Sequence, residues 1–221
     1  MRRGRRAMED LMKCYPQLMS ALSSLSLVVG APSVAGTAHA QTLSGDGLVN
    51  ALRHGGYVIV MRHTSSPREA PDKQTANADN VNQERQLDQT GRTTAIAMGK
   101  ALRDLKIPVG EVLTSPTYRA METIRLSQLA NARPQVDLGD GGQSMQGVAQ
   151  SQAAWLRTKV TQSPSGTNTI LVTHLPNMAG AFPQSTAGLA DGEALVFGPD
   201  GKGGSALVAR VKIEDWPTLQ H

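Results

Sequence analysis

The sequence predicts a three-layer α/β/α sandwich with a mostly parallel central sheet and an antiparallel edge hairpin. Three observations predict it. Tyr57-Val58-Ile59-Val60-Met61 and, after Asn168, Thr169-Ile170-Leu171-Val172-Thr173 are apolar or β-branched on consecutive positions, as strands buried on both faces are. Segments with a helical apolar period separate such runs, which is the alternation that crossover connections produce. Near the end, strand-like runs at 193–197 and 205–211 flank Pro199-Asp200-Gly201, a turn signal that joins neighbours antiparallel.

The chain has 221 residues, enough for one domain with a sizeable core and short for two. Its first forty residues do not read as part of that domain. Arg2, Arg3, Arg5, Arg6 and Lys13 form a basic opening, residues 18–35 are mainly apolar and small, and Thr37-Ala38-His39-Ala40 has the small-x-small pattern of a signal-peptidase site. Ser23, Ser24, Gly30 and Pro32 interrupt the apolar stretch, which suits a cleaved leader better than a permanent span. The expectation is therefore a secretion signal over 1–40, a single domain over 41–221, and a periplasmic or secreted location.

Without the leader the charge balance is 17 Lys plus Arg against 16 Asp plus Glu, and only 3% of the whole chain is aromatic. A nearly neutral domain lacks the basic face that nucleic-acid binding uses. Cys14 is the only cysteine and belongs to the leader, so the domain has neither a disulfide nor a thiol nucleophile.

Taken in order, residues 47–54 form a short scaffolding helix that feeds the first strand. A polar segment follows over 65–88, long for a plain connection and rich in Asn, Asp and Pro. The helix at 90–105 brings Ile96, Ala97, Met98, Ala101, Leu102 and Leu105 toward one face, with Asp88 or Thr90 as its cap. Ile107-Pro108-Val109-Gly110 turns the chain into a strand at 111–114, and a helix at 118–130 packs through Met121, Ile124, Leu126 and Leu129. Residues 131–147 are Gly-, Asn-, Asp- and Gln-rich and read as irregular. A helix at 145–160, broken by Ser163-Pro164-Ser165-Gly166, leads to the strand at 168–173. Trp155 and Trp216 read as packing residues.

Three strand ends carry the chemistry: Arg62-His63, then Thr114-Ser115-Pro116-Thr117-Tyr118-Arg119, then Thr173-His174. In an open α/β sheet the carboxyl ends of parallel strands form the ligand crevice. Two guanidinium groups and two imidazoles brought together there suit a dianionic phosphoryl group, because arginine offers planar paired donors to its oxygens. An imidazole among cations favours its neutral form, which holds a lone pair for attack. The expected reaction is phosphoryl transfer to His63, with Arg62, Arg119 and His174 holding the charge, followed by hydrolysis. No metal or cofactor is required. His39, His54 and His221 have no comparable context.

Met61-Arg62-His63-Thr64, Thr114-Ser115-Pro116-Thr117-Tyr118-Arg119-Ala120-Met121-Glu122-Thr123 and Val172-Thr173-His174 resemble the three signatures of the histidine phosphatase superfamily. The likeness extends to Glu84-Arg85-Gln86-Leu87, Gly91-Arg92 and Gly192-Glu193-Ala194. It implies a sheet with helices on both faces, a nucleophilic His63, phosphate-binding Arg62 and Arg119, and a second pocket histidine at His174. Thr64 replaces the glycine commonest after the family's first histidine and adds a hydroxyl that can donate to phosphate. The proton donor departs from the pattern. Many small members have a catalytic glutamate between the second arginine motif and the second histidine, where residues 127–169 offer only Asp137 and Asp140; larger members have an aspartate directly after the second histidine, where this chain has Leu175. The candidates are Glu193, Glu84, Asp72 and Asp140. Glu193 is favoured because the loop before its strand can return to the pocket.

The expected activity is thus metal-independent hydrolysis of a small polar phosphomonoester, such as a sugar, nucleoside or lipid-headgroup phosphate. The alternatives are an exported phosphate-binding module without turnover and, behind it, a phosphomutase. A metal hydrolase built on His63 and His174 has no third ligand at recognisable spacing. Asn177, just beyond His174, is a candidate for orienting the pocket, and Arg85 for reaching the substrate.

Overall fold

The computed structural model describes residues 42–67, 85–140 and 150–219. The leader, the interior of the 65–88 segment with Asp72 and Glu84, and the start of the helix predicted at 145 lie outside those residues. Six strands form one sheet: β1 (Val58–Arg62), β2 (Val109–Thr114), β3 (Ala132–Pro134), β4 (Asn168–Thr173), β5 (Ala194–Pro199) and β6 (Ser205–Val211), in spatial order β3-β2-β4-β1-β5-β6. The first four run parallel, β5 runs against β1, and β6 against β5. Among the described residues the helices are α1 (Gly45–His54), α2 (Gln89–Asp104), α3 (Tyr118–Ser127), α4 (Gln150–Lys159) and α5 (Leu175–Ala181). None is long and apolar enough to cross a membrane.

The pleat of β1 sorts the core into two layers. Ile59 and Met61 pack with Leu48, Val49 and Leu52 of α1, Met98 and Leu102 of α2, and Ile124 of α3. Val58 and Val60 point the other way, toward Ala153 and Leu156 of α4 and Met178 of α5. Each fully buried Leu, Ile, Val or Met side chain contributes about 1.5–3 kcal/mol by leaving water. Every residue of β4 is buried. Covered on both faces, it has no need of the apolar–polar alternation that marks a half-exposed strand.

This topology sets three parallel carboxyl ends side by side, with β4 between β2 and β1. The ladder continues just past the strands: His63 N–H donates to the Thr173 carbonyl at 3.0 Å and Ser115 N–H to the Val172 carbonyl at 2.8 Å. Asp88, one of the two predicted caps, closes α2 by accepting from Gly91 N–H at 2.7 Å, and its other oxygen accepts from the Ser65 hydroxyl at 2.7 Å. Gly91 is required there, because a Cβ would lie 2.1 Å from the Ser65 carbonyl oxygen. The helix start thereby fixes the loop that follows His63.

Residues 131–140, the described part of the stretch expected to be irregular, hold more structure than expected. β3 pairs parallel with β2, and a 3₁₀ turn follows at Val136–Leu138. The three-residue strand Ala132-Arg133-Pro134 is exposed at two positions and too short to show a pattern. α5 was also not anticipated; it is seven residues long and opens with Pro176 in its first turn, a position where the missing N–H costs no helical bond. α3 stops at Ser127 rather than 130, where Gln128 takes a left-handed conformation. Trp216 is buried in a 3₁₀ segment at Ile213–Thr218 and Trp155 is partly buried, both as packing residues.

Candidate active site

The sheet brings His63, Arg119 and His174 into direct contact, as the strand-end argument expects. His63 Nδ1–H donates to the Thr64 carbonyl at 2.8 Å, which leaves Nε2 as the unprotonated nitrogen, and Arg119 Nε donates to it at 3.3 Å. The Nη2 of Arg119 donates to His174 Nδ1 at 3.1 Å. His174 Nε2–H then donates to the Ser115 hydroxyl at 2.8 Å, and that hydroxyl to Thr117 Oγ1 at 3.1 Å. The two imidazoles meet edge to face with centroids 5.2 Å apart. Arg119 is only 1% exposed although it is charged, so its contacts have to be made inside the protein.

Arg62 forms an ion pair with Asp191 at 2.5 Å and donates from Nη1 to the Leu189 carbonyl at 3.3 Å. Arg85 donates from Nε to the Ser66 hydroxyl at 3.3 Å and stands near enough to act on His174. Burial is the first reason that both histidines are held well below the ordinary imidazole range. For His63 the neighbouring His174, Arg119 and Arg62 add to it, outweighing the opposing Thr64 carbonyl. For His174 the additional causes are Arg119, Arg85 and Arg62. Both rings are therefore neutral bases poised among guanidinium groups.

The carboxylates sort differently from the expectation. Glu193, the favoured donor, turns away from the histidines: Arg210 of β6 grips both of its oxygens, and the Ala190 N–H donates to it at 2.8 Å. Burial alone would raise the Glu193 carboxyl, but the Arg210 and Ala190 hydrogen bonds prevail and hold it below its usual range. Thus its place on the same face as Arg62 does not carry its carboxylate into the crevice. Asp140 instead pairs with Arg119 Nη2 and lies 3.9 Å from His174 Nδ1. Glu84 and Asp72 lie outside the described residues.

The Thr64 hydroxyl is also differently used. It bonds Thr123 Oγ1 at 3.1 Å, while Thr123 donates to the Arg119 carbonyl at 2.8 Å, so it braces α3 and is not a phosphate donor. Ser115, Thr117 and Asp191 were not singled out in the sequence, although each stands inside or beside a quoted motif. Among the described residues no three His, Cys, Asp or Glu side chains are grouped as a metal ion requires.

Solved structures of two phosphatases share this α/β architecture. In particular, the structure of the protein histidine phosphatase SixA complexed with tungstate matches with a TM-score of 0.52 at 18% identity, covering 72% of this chain and 98% of that one. A phosphoserine phosphatase mutant from Entamoeba histolytica in complex with phosphoserine matches with a TM-score of 0.52 at 12% identity, covering 72% and 98%. No protein-family model and no curated protein sequence matches this chain.

Proposed function

We propose that this protein is a metal-independent phosphomonoester hydrolase that works through a phosphohistidine at His63. The observation that carries the reading is His63 itself. Its Nδ1–H is anchored on a backbone carbonyl, its Nε2 lone pair faces Arg119, and burial among guanidinium groups keeps the ring neutral. The tungstate and phosphoserine held by the two proteins of like fold support an anionic phosphoryl ligand here.

In the first step the phosphoryl oxygens take donors from Arg62 and Arg119, while neutral His174, whose one N–H is given to Ser115, accepts from Arg119 and holds its fork in place. His63 Nε2 attacks phosphorus in line, the N–P bond forms, and the bond to the leaving oxygen breaks. We assign the proton for that oxygen to Asp140, which stands at Arg119 and His174: the phosphoryl group takes the place of its carboxylate on Arg119, and Asp140 enters the step as the protonated acid. In the second step a water attacks phosphorus, Asp140 takes a proton from it, the N–P bond breaks and inorganic phosphate leaves. The guanidinium groups are fixed before the reaction, so their donors stabilise charge spread over the equatorial oxygens without reorganising.

The polar Ser65, Ser66 and Arg85, on the segment that follows His63, favour a small polar leaving group, a sugar or a lipid headgroup. The leader-like residues 1–40 favour export to a periplasmic or extracellular compartment. The alternative of a binding module without turnover rests on the lack of an evident acid, the role assigned here to Asp140. Phosphate release from a phosphomonoester panel, with chelator present, tests the reading. The expected result is turnover abolished by His63→Ala, with inorganic phosphate and not a second ester as product. Binding without release by the folded parent favours the module; transfer to an acceptor favours a mutase; activity lost to chelator favours a metal hydrolase.

A further inference from the structure

The segment that presents Asp140 is held from three sides. Gln135 N–H donates to the Thr114 carbonyl at 2.8 Å, and the 3₁₀ turn carries the chain to Gly139. The Thr173 hydroxyl donates to the Leu138 carbonyl at 2.7 Å. Asn177 Nδ2 donates to the Gly139 carbonyl at 2.7 Å and reaches the Asp137 carbonyl at 3.4 Å. Gln152 of α4 donates to the same Gly139 carbonyl at 2.9 Å. Thr173 and Asn177 also flank His174, one residue before it and three after. A single strand-to-helix junction therefore sets both His174 and the strap that ends in Asp140.

Asn177 is retained there at a cost. It is 1% exposed, and with its nitrogen committed to two carbonyls its Oδ1 is buried without a hydrogen-bond partner. An aliphatic side chain of similar volume would fill the space without an orphaned oxygen. We propose that Asn177 and Thr173 are positioning residues for Asp140, keeping its carboxyl on the leaving-group side of the phosphoryl site. The inference rests on the phosphatase reading above, with Asp140 as proton donor.

The test compares an alkyl phosphate, whose alkoxide must be protonated, with p-nitrophenyl phosphate, whose phenolate leaves unaided. Asn177→Leu and Thr173→Val should lower kcat/KM, which reports the first step and not the hydrolysis common to both esters, about 10- to 100-fold for the alkyl ester, as a displaced catalytic group does, and leave that of the aryl ester within about twofold. Thr173→Ser should restore the parental ratio, and in an Asp140→Asn background neither substitution should have a further effect. If Asn177→Leu does not fold, the Thr173→Val and Thr173→Ser pair carries the comparison alone. Equal losses on both esters, or no loss on either, overturn the positioning role. Failure of the underlying reading looks different: Asp140→Asn then lowers kcat/KM of both esters alike, or the parent releases phosphate from neither, and the inference falls with it.

Discussion

Replacing Arg119 by lysine keeps the charge and discards the fork. The parental guanidinium engages His63 Nε2 at 3.3 Å through Nε, and His174 Nδ1 at 3.1 Å and Asp140 through Nη2. A lysine ammonium is a single point and occupies one of those positions only. Losing one fixed donor aimed at transition-state charge costs about 10²- to 10³-fold in kcat, or about 3–4 kcal/mol. Arg119→Met removes the charge as well, and this adds a second signature. Burial continues to depress both imidazoles, but the contribution of Arg119 disappears and both rise. Because His63 attacks as the neutral base, kcat/KM falls as pH drops through its titration. The acid limb should therefore move to higher pH in Arg119→Met and stay in place in Arg119→Lys. Phosphate release measured from acid to neutral pH, with urea unfolding as a folding control, reads both effects. Parental kcat in the lysine variant, or an unmoved acid limb in a folded methionine variant, would refute the reasoning.

Other expectations follow from the same contacts. Glu193→Gln should leave turnover within about twofold yet lower stability to urea by about 1–2 kcal/mol, because Arg210 and the Ala190 N–H lose an anionic acceptor. A kcat loss confined to alkyl phosphates would return the donor role to Glu193. Stability should fall as pH is lowered below about 6.5, where histidines of the unfolded chain take up protons that buried His63 and His174 refuse. The slope should be on the order of 1 kcal/mol per pH unit for each ring, full stability being present above that range; flat urea midpoints across the window would contradict it. Arg85→Ala should raise KM about 5- to 10-fold with less change in kcat, since it removes one cation from the mouth of the site. An unaltered KM in steady-state assays would take Arg85 out of the substrate's path.

The parts of the molecule that were legible in the sequence are those where one physical demand dominates. Residues 58–61 and 170–172 are apolar throughout because helices cover both faces, and the positions just after them are free to carry chemistry. Hence Arg62, His63 and His174 stand out, and Arg119 follows from the fixed offset after β2. The hairpin at β5 and β6 was legible from its turn residues, and the α2 cap from Asp88 ahead of an apolar period. β3 and α5 were not, because a three-residue edge strand and a seven-residue helix generate no periodicity. Which carboxylate stands at the histidines was illegible for a different reason. Glu193 and Asp140 both lie on chain that returns toward the crevice, and the distinction is made by Arg210, seventeen residues away from Glu193, which captures its carboxylate from a neighbouring strand. Position along a strand identifies a face; it does not say which cation on that face a carboxylate will meet.

The claim on which the rest depends is a covalent one, and rapid-quench trapping with a radiolabelled phosphomonoester tests it directly. The account requires label on His63 that forms and decays at least as fast as steady-state turnover, that survives alkali and is lost in acid, and that is absent from His63→Ala. Steady release of phosphate by a folded protein without label on His63, or turnover retained by His63→Ala, would contradict it.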